Sequence, residues 1–529
     1  MSELTDTSVA GGWQRLDRRM LLVHPITELI RFIPVLLATL IAGARSDNPM
    51  WSLGVVGIIV LLAVTRWFTT TYRITRDNVE LRTGLLQRKR LSVPRTRVRS
   101  VDVEADLLHR ALGLAVLSIG TGQQAERGDQ FKLDSLDARL VPELRTALLA
   151  HTQQTPESAG AQPVTDTPGG DTGIDLTKPA AAQPANGHAP VEIAHWRPDW
   201  VRFAPLSLTG FAIIAPIVGL AFQYGIADLI FESSTVRGVE DSGARAIALF
   251  VALLIVALVV FVSLVACARY LASWYGLQVV DDGKTLHLRH GLFTTRQTTL
   301  DLARLRGATV NEPLLLRLAG AAELEAIMTG TGPRQKLLPQ APRAAVDHTL
   351  AHLLDDEAVL DVGPAPAGLA PPPPVTVELL RHGPAARRRR YTRALGPVAL
   401  LAAAPIAISL AGNHIPSWIW ALLAVIAAAA TALAWDRYRG LGHAVIPPAP
   451  GHPAWLVTRS GSLDRDRDCL EAPGVIGWTV RQSFFQRRAG LATVVAASAA
   501  GKKRYHVIDL PLERAWELIE SVTPGQLGR

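Results

Sequence analysis

His348 and His352 stand four residues apart and are followed by Asp355 and Asp356; on one helix that set could ligate a divalent metal. No third group of ligands accompanies the pair, so it reads as a solvated helix face, and no metal or other cofactor is expected. His287 and His290 differ by three on an extended segment and point to opposite faces, which excludes a shared ligand. Cys267 and Cys469 are far apart and lack CxxC spacing, so neither a disulfide framework nor a zinc site follows. The sequence contains no phosphate-cradling glycine loop, nucleophile elbow or His-Glu-x-x-His string, and no catalytic residue is expected. What remains is the chemistry of charge. Arg88, Lys89, Arg90, Arg95, Arg97 and Arg99 fall within one short strip. Each basic residue near an anionic leaflet contributes about 1 kcal/mol, which makes the six the candidate contacts for lipid headgroups.

The elements that must position this strip are set by hydropathy. Of 529 residues 49% are hydrophobic and 19% charged, and the apolar residues gather in uncharged runs. A membrane-crossing helix needs about 20 such residues. Phe203 to Ile226, Ala246 to Ala268, Ala394 to Asn413 and Ile415 to Trp435 meet that length. Pro25 to Ala44 carries Glu28 and Arg31 on one helical face, and Met50 to Thr65 is short but flanked by Trp51 and Trp67. The second apolar run so soon after Pro25 to Ala44 argues against a cleaved signal peptide. Six crossings in three hairpins are therefore expected. Arg15, Arg18 and Arg19, then Arg66, Arg73 and Arg76, flank the first hairpin; Arg387 to Arg390, Arg437 and Arg439 flank the third. Acids dominate the loop of the second. The basic flanks place both termini and the polar domains in the cytoplasm, and the net charge of +8 has the same origin rather than nucleic-acid binding.

A repeat underlies the polar regions. Counted from Gly84, the same offsets reach Val98, Leu107, Leu108, Arg110, Gly113 and Ala115. From Gly291 they reach Leu305, Leu314, Leu315, Arg317, Gly320 and Ala322, and from Gly461 Val475, Phe484, Phe485, Arg487, Gly490 and Ala492. Alternating apolar residues before each glycine, as in Thr71 to Arg82 and Leu277 to Arg289, predict strands. Val116 to Ile119 and Val494 to Ala497 predict further strands after Gly-x-Ala, a step that allows either close backbone approach or a tight turn. Each copy closes on an amphipathic helix with the stripes Leu140, Leu144 and Leu148; Val346, Leu350 and Leu353; and Leu512, Trp516 and Ile519. Gly120-Thr121-Gly122 and Gly330-Thr331-Gly332 read as a repeated strand-to-strand turn. Prolines 447, 448, 450 and 453 follow Tyr438, so the first strand of copy three is expected to be missing.

The strings Tyr72-Arg73-Ile74-Thr75, Leu81-Arg82-Thr83-Gly84-Leu85-Leu86, Val93-Pro94-x-x-Arg97-Val98-Arg99-Ser100-Val101 and Leu107-Leu108-x-Arg110-x-Leu112-Gly113-Leu114-Ala115 resemble the bacterial pleckstrin-homology (PH) domain of the YdbS/YdbT-like membrane proteins. The resemblance covers nearly all of copy one, much of copy two and copy three more loosely. It implies a PH-like barrel beside the membrane and supplies no catalytic residue.

The expected fold is an α+β membrane protein in which each transmembrane hairpin is followed by a PH-like β-barrel or sheet capped by a C-terminal helix. Its parts are a cytoplasmic N-terminus (1–24), hairpin one (25–68), domain one (69–151) and a disordered linker (152–195). Hairpin two (196–271), domain two (272–358), a Pro-rich and basic linker (359–390), hairpin three (391–436) and a degenerate domain three (437–529) follow. The linker compositions predict domains that are tethered rather than fused. The expected function is a non-enzymatic scaffold or adaptor at the inner leaflet of a bacterial cell membrane, with the lipid bilayer, anionic headgroups or a protein as partners and no nucleic acid. A transporter or channel component is the alternative.

Overall fold

The computed structural model describes residues 14–15, 19, 71–75, 78–83, 89–94, 100–120, 131–141, 190–207, 219, 244–330, 334–354, 377–448 and 453–525. The chain forms two compact units, Met1–Glu192 with Val279–Leu302, and Ile193–Gln278 with Ala303–Arg529.

In the first unit β1 (Gln14–Arg15), β2 (Thr71–Ile74), β3 (Asn78–Thr83) and β4 (Lys89–Pro94) form one sheet in that order. β5 (Ser100–Ala105), the short helix α1 (Leu107–Leu112), β6 (Leu114–Gly120) and β7 (Phe131–Asp137) complete copy one, and Val191–His195 forms β8. Copy two opens with β9 (Gln278–Asp281), β10 (Thr285–His290) and β11 (Thr295–Asp301). The second sheet has the order β7-β6-β5-β11-β10-β9-β8. Alternation decides which side of each strand is covered. Val79, Leu81 and Val93 from the first sheet meet Ala115, Leu117, Ile119, Leu133 and Leu136 from the second, one sheet packed on the other.

The second unit holds the long helix α2 (Ala244–Trp274), then β12 (Leu305–Asn311), α3 (Leu314–Leu318), β13 (Ala321–Met328), β14 (Gln335–Pro342) and the closing helix α4 (Arg343–Leu354). The hairpin α5 (Gly383–Leu410) and α6 (Ser417–Arg439) follows. Copy three comprises β15 (Gly442–Ile446), β16 (Trp455–Gly461), β17 (Arg465–Glu471), β18 (Val475–Arg481), α7 (Phe484–Arg488), β19 (Leu491–Ser498), β20 (Arg504–Pro511) and α8 (Leu512–Val522). Its sheets run β14-β13-β12-β17-β16-β15 and β18-β19-β20. Leu456 and Leu470 of the first join Val475, Val494, Ala496, Tyr505, Val507 and Ile519 in one core.

Every copy thus repeats three strands, a fourth, a short helix and two more strands. The expected gap in copy three is corrected: β15 pairs with β16 over Gly442↔Arg459 to Ile446↔Trp455, and Pro447 and Pro448 lie just beyond its last pair, where no ladder donor is needed. The expected tethering is also corrected. β5 of copy one pairs with β11 of copy two, and β12 of copy two with β17 of copy three, so consecutive copies share sheets. Gly307 permits the second junction; at φ 144° a Cβ there would lie 1.9 Å from the carbonyl oxygen of Cys469.

Gly113, Gly320 and Gly490 have φ of 68°, 70° and 64° and end the three short helices. Their N–H groups donate to Arg110, Arg317 and Arg487, and their carbonyls accept from Ala138, Arg343 and Leu512. A Cβ at Gly320 or Gly490 meets nothing within 4 Å, so of the two expected roles the left-handed turn applies and close approach does not.

Three helices are long and apolar enough to cross a membrane among the described residues: Ala252–Trp274 of α2, α5 and α6. At about 1.5 Å per residue, a 23-residue helix such as α6 spans roughly 35 Å, the scale of a hydrocarbon core. Leu400, Leu410 and Val425 are exposed, as lipid-facing side chains would be. Pro25 to Ala44 and Met50 to Thr65 lie outside the described residues, as do the linkers 152–188 and 363–374. Of Phe203 to Ile226, the first residues are described and do not start a span: Pro198–Leu206 is a 3-10 helix, and Phe203 is buried with Leu316 and Ala321.

The stripe of α4 is as expected, with Val346, Leu350 and Leu353 buried. In α8 the buried face is Ala515, Leu518, Ile519 and Val522, and Trp516 is exposed; its bulk fits the helix rim and not the sheet-facing side. Leu140 is exposed in a turn, and Leu144 and Leu148 lie outside the described residues.

Candidate functional site where membrane helices meet the sheets

Of the basic strip, Arg88, Arg95, Arg97 and Arg99 lie outside the described residues, and Lys89 is described only as the first residue of β4. Arg90 is exposed and pairs at 2.8 Å with Glu80, which also holds Arg73 at 2.7 Å. Alternation along β3 turns Glu80 away from Val79 and Leu81 and between these two arginines. The strip therefore has an acid built beside it that its spacing did not reveal. His348, the first member of the histidine pair on α4, is exposed.

A site that the sequence reading missed lies in β20. The ladder between β19 and β20 slips between Ala492 and Val494, and this bulge turns Asp509 inward at φ 59°. Aspartate tolerates that conformation better than most residues. Its side chain is fully buried and pairs with Arg389 at 2.9 Å and Arg390 at 3.0 Å, both on the first turns of α5. Gln486 donates to it at 2.8 Å and forms a capping box with Ser483 on α7. The arginine run expected as a plain positive flank is thus partly a buried clamp.

Beside it, His382 at the N-cap of α5 and His443 on β15 are almost completely buried. Nδ1 of His382 lies 2.8 Å from the carbonyl of Ile508, so it donates there and leaves Nε2 to accept from Nδ1 of His443 at 2.9 Å. Both rings are neutral in this chain of bonds. Burial lowers the pKa of His382 to about 4, against the hydrogen bond to Ile508. Burial, then His382 and Arg514, lowers that of His443 to about 3.

The same bulge recurs in copy two, between β13 and β14, where Gln340 stands two residues before Pro342 as Asp509 stands before Pro511. There the hydroxyl of Tyr270, near the end of α2, donates to the carbonyl of Gln340 at 3.0 Å. One bulge position therefore receives a membrane-type helix in both copies.

The far end of the third hairpin is fixed as well. Asp436 on α6 accepts from Arg317 of copy two at 3.0 Å, from Arg465 of copy three at 2.9 Å and from Ser462 at 2.9 Å. Arg459 donates to the carbonyls of Gly440 and Arg439, where the negative end of the helix dipole lies. Its burial and then the neighbouring Arg465 and Arg467 lower its pKa to about 10. The chemistry of these groups is mechanical: they fasten helices to sheets. Their partners lie up to 126 residues away in sequence, which is why spacing alone did not find them; the proline two residues after each bulge was the one repeated signal.

Comparison with known proteins agrees with this architecture. A family model described as bacterial PH domain matches residues 28–152, 211–356 and 396–525, and each match starts ahead of the strands and takes in apolar sequence. The UPF0699 transmembrane protein YdbT of Bacillus subtilis (strain 168) is 20% identical over 316 residues, 56% of this chain and 59% of that protein. The similarity thus spans a little over half of the relative's length. No solved structure matches the chain. The threefold strand–helix–strand unit, the apolar helices between units and the three family matches agree with the resemblance read from Tyr72 to Ala115, and the chain belongs to the bacterial PH domain family.

Proposed function

We propose that the chain is a non-enzymatic, multi-pass protein of a bacterial cell membrane that holds three PH-like domains, at 69–151, 272–358 and 437–529, against the inner leaflet as a scaffold or adaptor. The observation that carries this reading is the double fastening of α5 and α6, through Asp509 and Asp436, to the sheets of copy three and the short helix α3 of copy two. A loosely tethered reader would have no use for buried ion pairs at its membrane helices. Six crossings with both termini in the cytoplasm remain our reading of the basic flanks. Anionic lipid is the proposed ligand of Arg88, Lys89, Arg90, Arg95, Arg97 and Arg99, and a membrane or cytoplasmic protein is the proposed partner of the remaining surface.

The reading is tested in native membranes and in nanodiscs. Cysteines introduced at Asp47 and Ser242 should react with an impermeant thiol reagent added outside, and one at Asp134 should not; the opposite labelling would overturn the orientation. In nanodiscs, exchange of the amides of Lys89–Pro94 should slow when anionic lipid replaces zwitterionic lipid and recover at high salt. Insensitivity to lipid charge would remove the strip as a ligand site. A transporter or channel component is the second reading. No Asp, Glu, Lys or Arg occurs between Ala394 and Trp435, whereas translocation paths tend to carry such groups. Solute flux in proteoliposomes above that of empty vesicles would favour it over the scaffold.

A further inference from the structure

The two junctions between copies have one register. Counting from the glycine that starts each repeat register (Gly84, Gly291 and Gly461), Val103 at position nineteen of copy one faces Gln297 at position six of copy two. Val310 at position nineteen of copy two faces Arg467 at position six of copy three. The next pair along is Glu104 opposite Arg296, an ion pair at 3.2 Å, and Asn311 opposite Asp466, a hydrogen bond at 2.7 Å. The arginine of the short helix secures each junction: Arg110 donates to the carbonyl of Leu292 and Arg317 to that of Ser462, each the residue after the next copy's hairpin glycine.

Copy three has the same equipment and, among the described residues, no strand against it. β18 is the counterpart of β5 and β12, yet among the described residues it pairs with β19 alone. Its exposure shows the difference. Thr309 and Asn311 on β12 are buried under β17, while the equivalent Thr479 and Arg481 are exposed, and Ile476 is 70% exposed. Arg487, the counterpart of Arg110 and Arg317, is exposed and its guanidinium has no partner among the described residues. A β-branched edge strand without a neighbour is a template for another chain. In copy one β4, the counterpart of β11 and β17, is the last strand of its sheet among the described residues.

We infer that β18 docks on β4 of a second copy of this chain, in the register of the two internal junctions. Val480 then stands opposite Arg90, as Val310 stands opposite Arg467, and Thr479 stands opposite Leu91. The contact is heterologous, head to tail, and can add further copies. It differs from the internal junctions at one pair, because Arg481 comes opposite Lys89 and like charges oppose each other where the internal pairs attract. Association is accordingly weaker than the internal junctions and strengthens as salt screens that pair.

The test uses the full chain in native membranes. Two differently tagged copies of the unsubstituted protein should co-purify, more fully at high salt than at low. In a Cys267→Ser background, a chain carrying Val480→Cys and one carrying Arg90→Cys should form a disulfide containing both tags on mild oxidation. Thr479→Cys with Arg90→Cys, one residue out of register and on opposite faces, should not. Arg481→Glu should raise the co-purified fraction about fivefold by converting repulsion to attraction, and Lys89→Glu added to it should abolish the gain. Tags that never co-purify would overturn the inference. So would co-purification without the Val480–Arg90 disulfide, which would place the contact on another surface, or an Arg481→Glu effect of the opposite sign.

Discussion

The hydroxyl of Tyr270 donates to the carbonyl of Gln340 at 3.0 Å, at the bulge position that Asp509 occupies in copy three. Two different chemistries, a neutral hydrogen bond and a buried ion pair, thus join a long apolar helix to the same point of the repeat. The weaker link should be the neutral one. Tyr270→Phe keeps the ring and removes one bond, and it should lower the stability of the second unit by about 1 kcal/mol in denaturant unfolding of the detergent-solubilised chain. A change within error would mean that the ring alone holds α2.

Asp509→Ala should be far more damaging. It leaves Arg389 and Arg390, each more than four-fifths buried, without their acid. Removing one member of a buried pair costs about 3–5 kcal/mol. Limited proteolysis should show earlier cleavage in copy three, and Asp509→Ala combined with Arg389→Met and Arg390→Met should recover part of the loss. A triple variant worse than the single one would contradict the charge argument.

The histidine pair predicts acid sensitivity. In the unfolded chain both rings take a proton near pH 6.5, but in the fold His382 resists to about 4 and His443 to about 3. The depressed folded values mean that their contribution is complete above pH 6.5 and falls away as pH drops toward 4, where only the unfolded state binds the protons. Thermal unfolding at pH 7.5 and pH 5 should show a drop in midpoint, and His382→Gln should shrink that drop. An equal drop in the variant would assign the acid response elsewhere.

At the helix-ending glycine, the left-handed φ sets the outcome and space does not. Gly113→Val and Gly490→Val should each lower stability by about 1–2 kcal/mol, and the asparagine variants by less. Because β5 and β11 share a sheet, damage at Gly113 should also speed amide exchange at Thr295 to Gln297. Unchanged exchange there would indicate that the junction survives the loss of copy one.

Much of this fold could be read from the sequence because it is local. The glycine offsets, the strands before each glycine and the apolar spans follow from spacing along one segment, whereas the helices at Leu107, Leu314 and Phe484 are too short to show a period. The sheet sharing could not be read that way. Alternation specifies which face of a strand is buried but not which neighbour its edge takes, and an edge pairing between copies uses the same pattern as one within a copy. Asp509, His382, His443 and Asp436 were passed over for a related reason. Each is an ordinary polar residue until the fold brings up Arg389, Ile508 or Arg317. Trp516 misled because its spacing from Leu512 and Ile519 put it on the apolar stripe, whereas the small Ala515 takes the sheet-facing place.

The junction pairs have a consequence for how such an array can change. The register is common to both junctions, so any fourth strand could in principle meet any third strand of another copy. The charges are not common. Excising copy two and joining copy one directly to copy three would set Glu104 against Asp466, two acids where Arg296 and Asn311 had supplied the complements. The sequence of repeats is therefore written into single side chains at each seam, like an address that admits one neighbour and turns away the next.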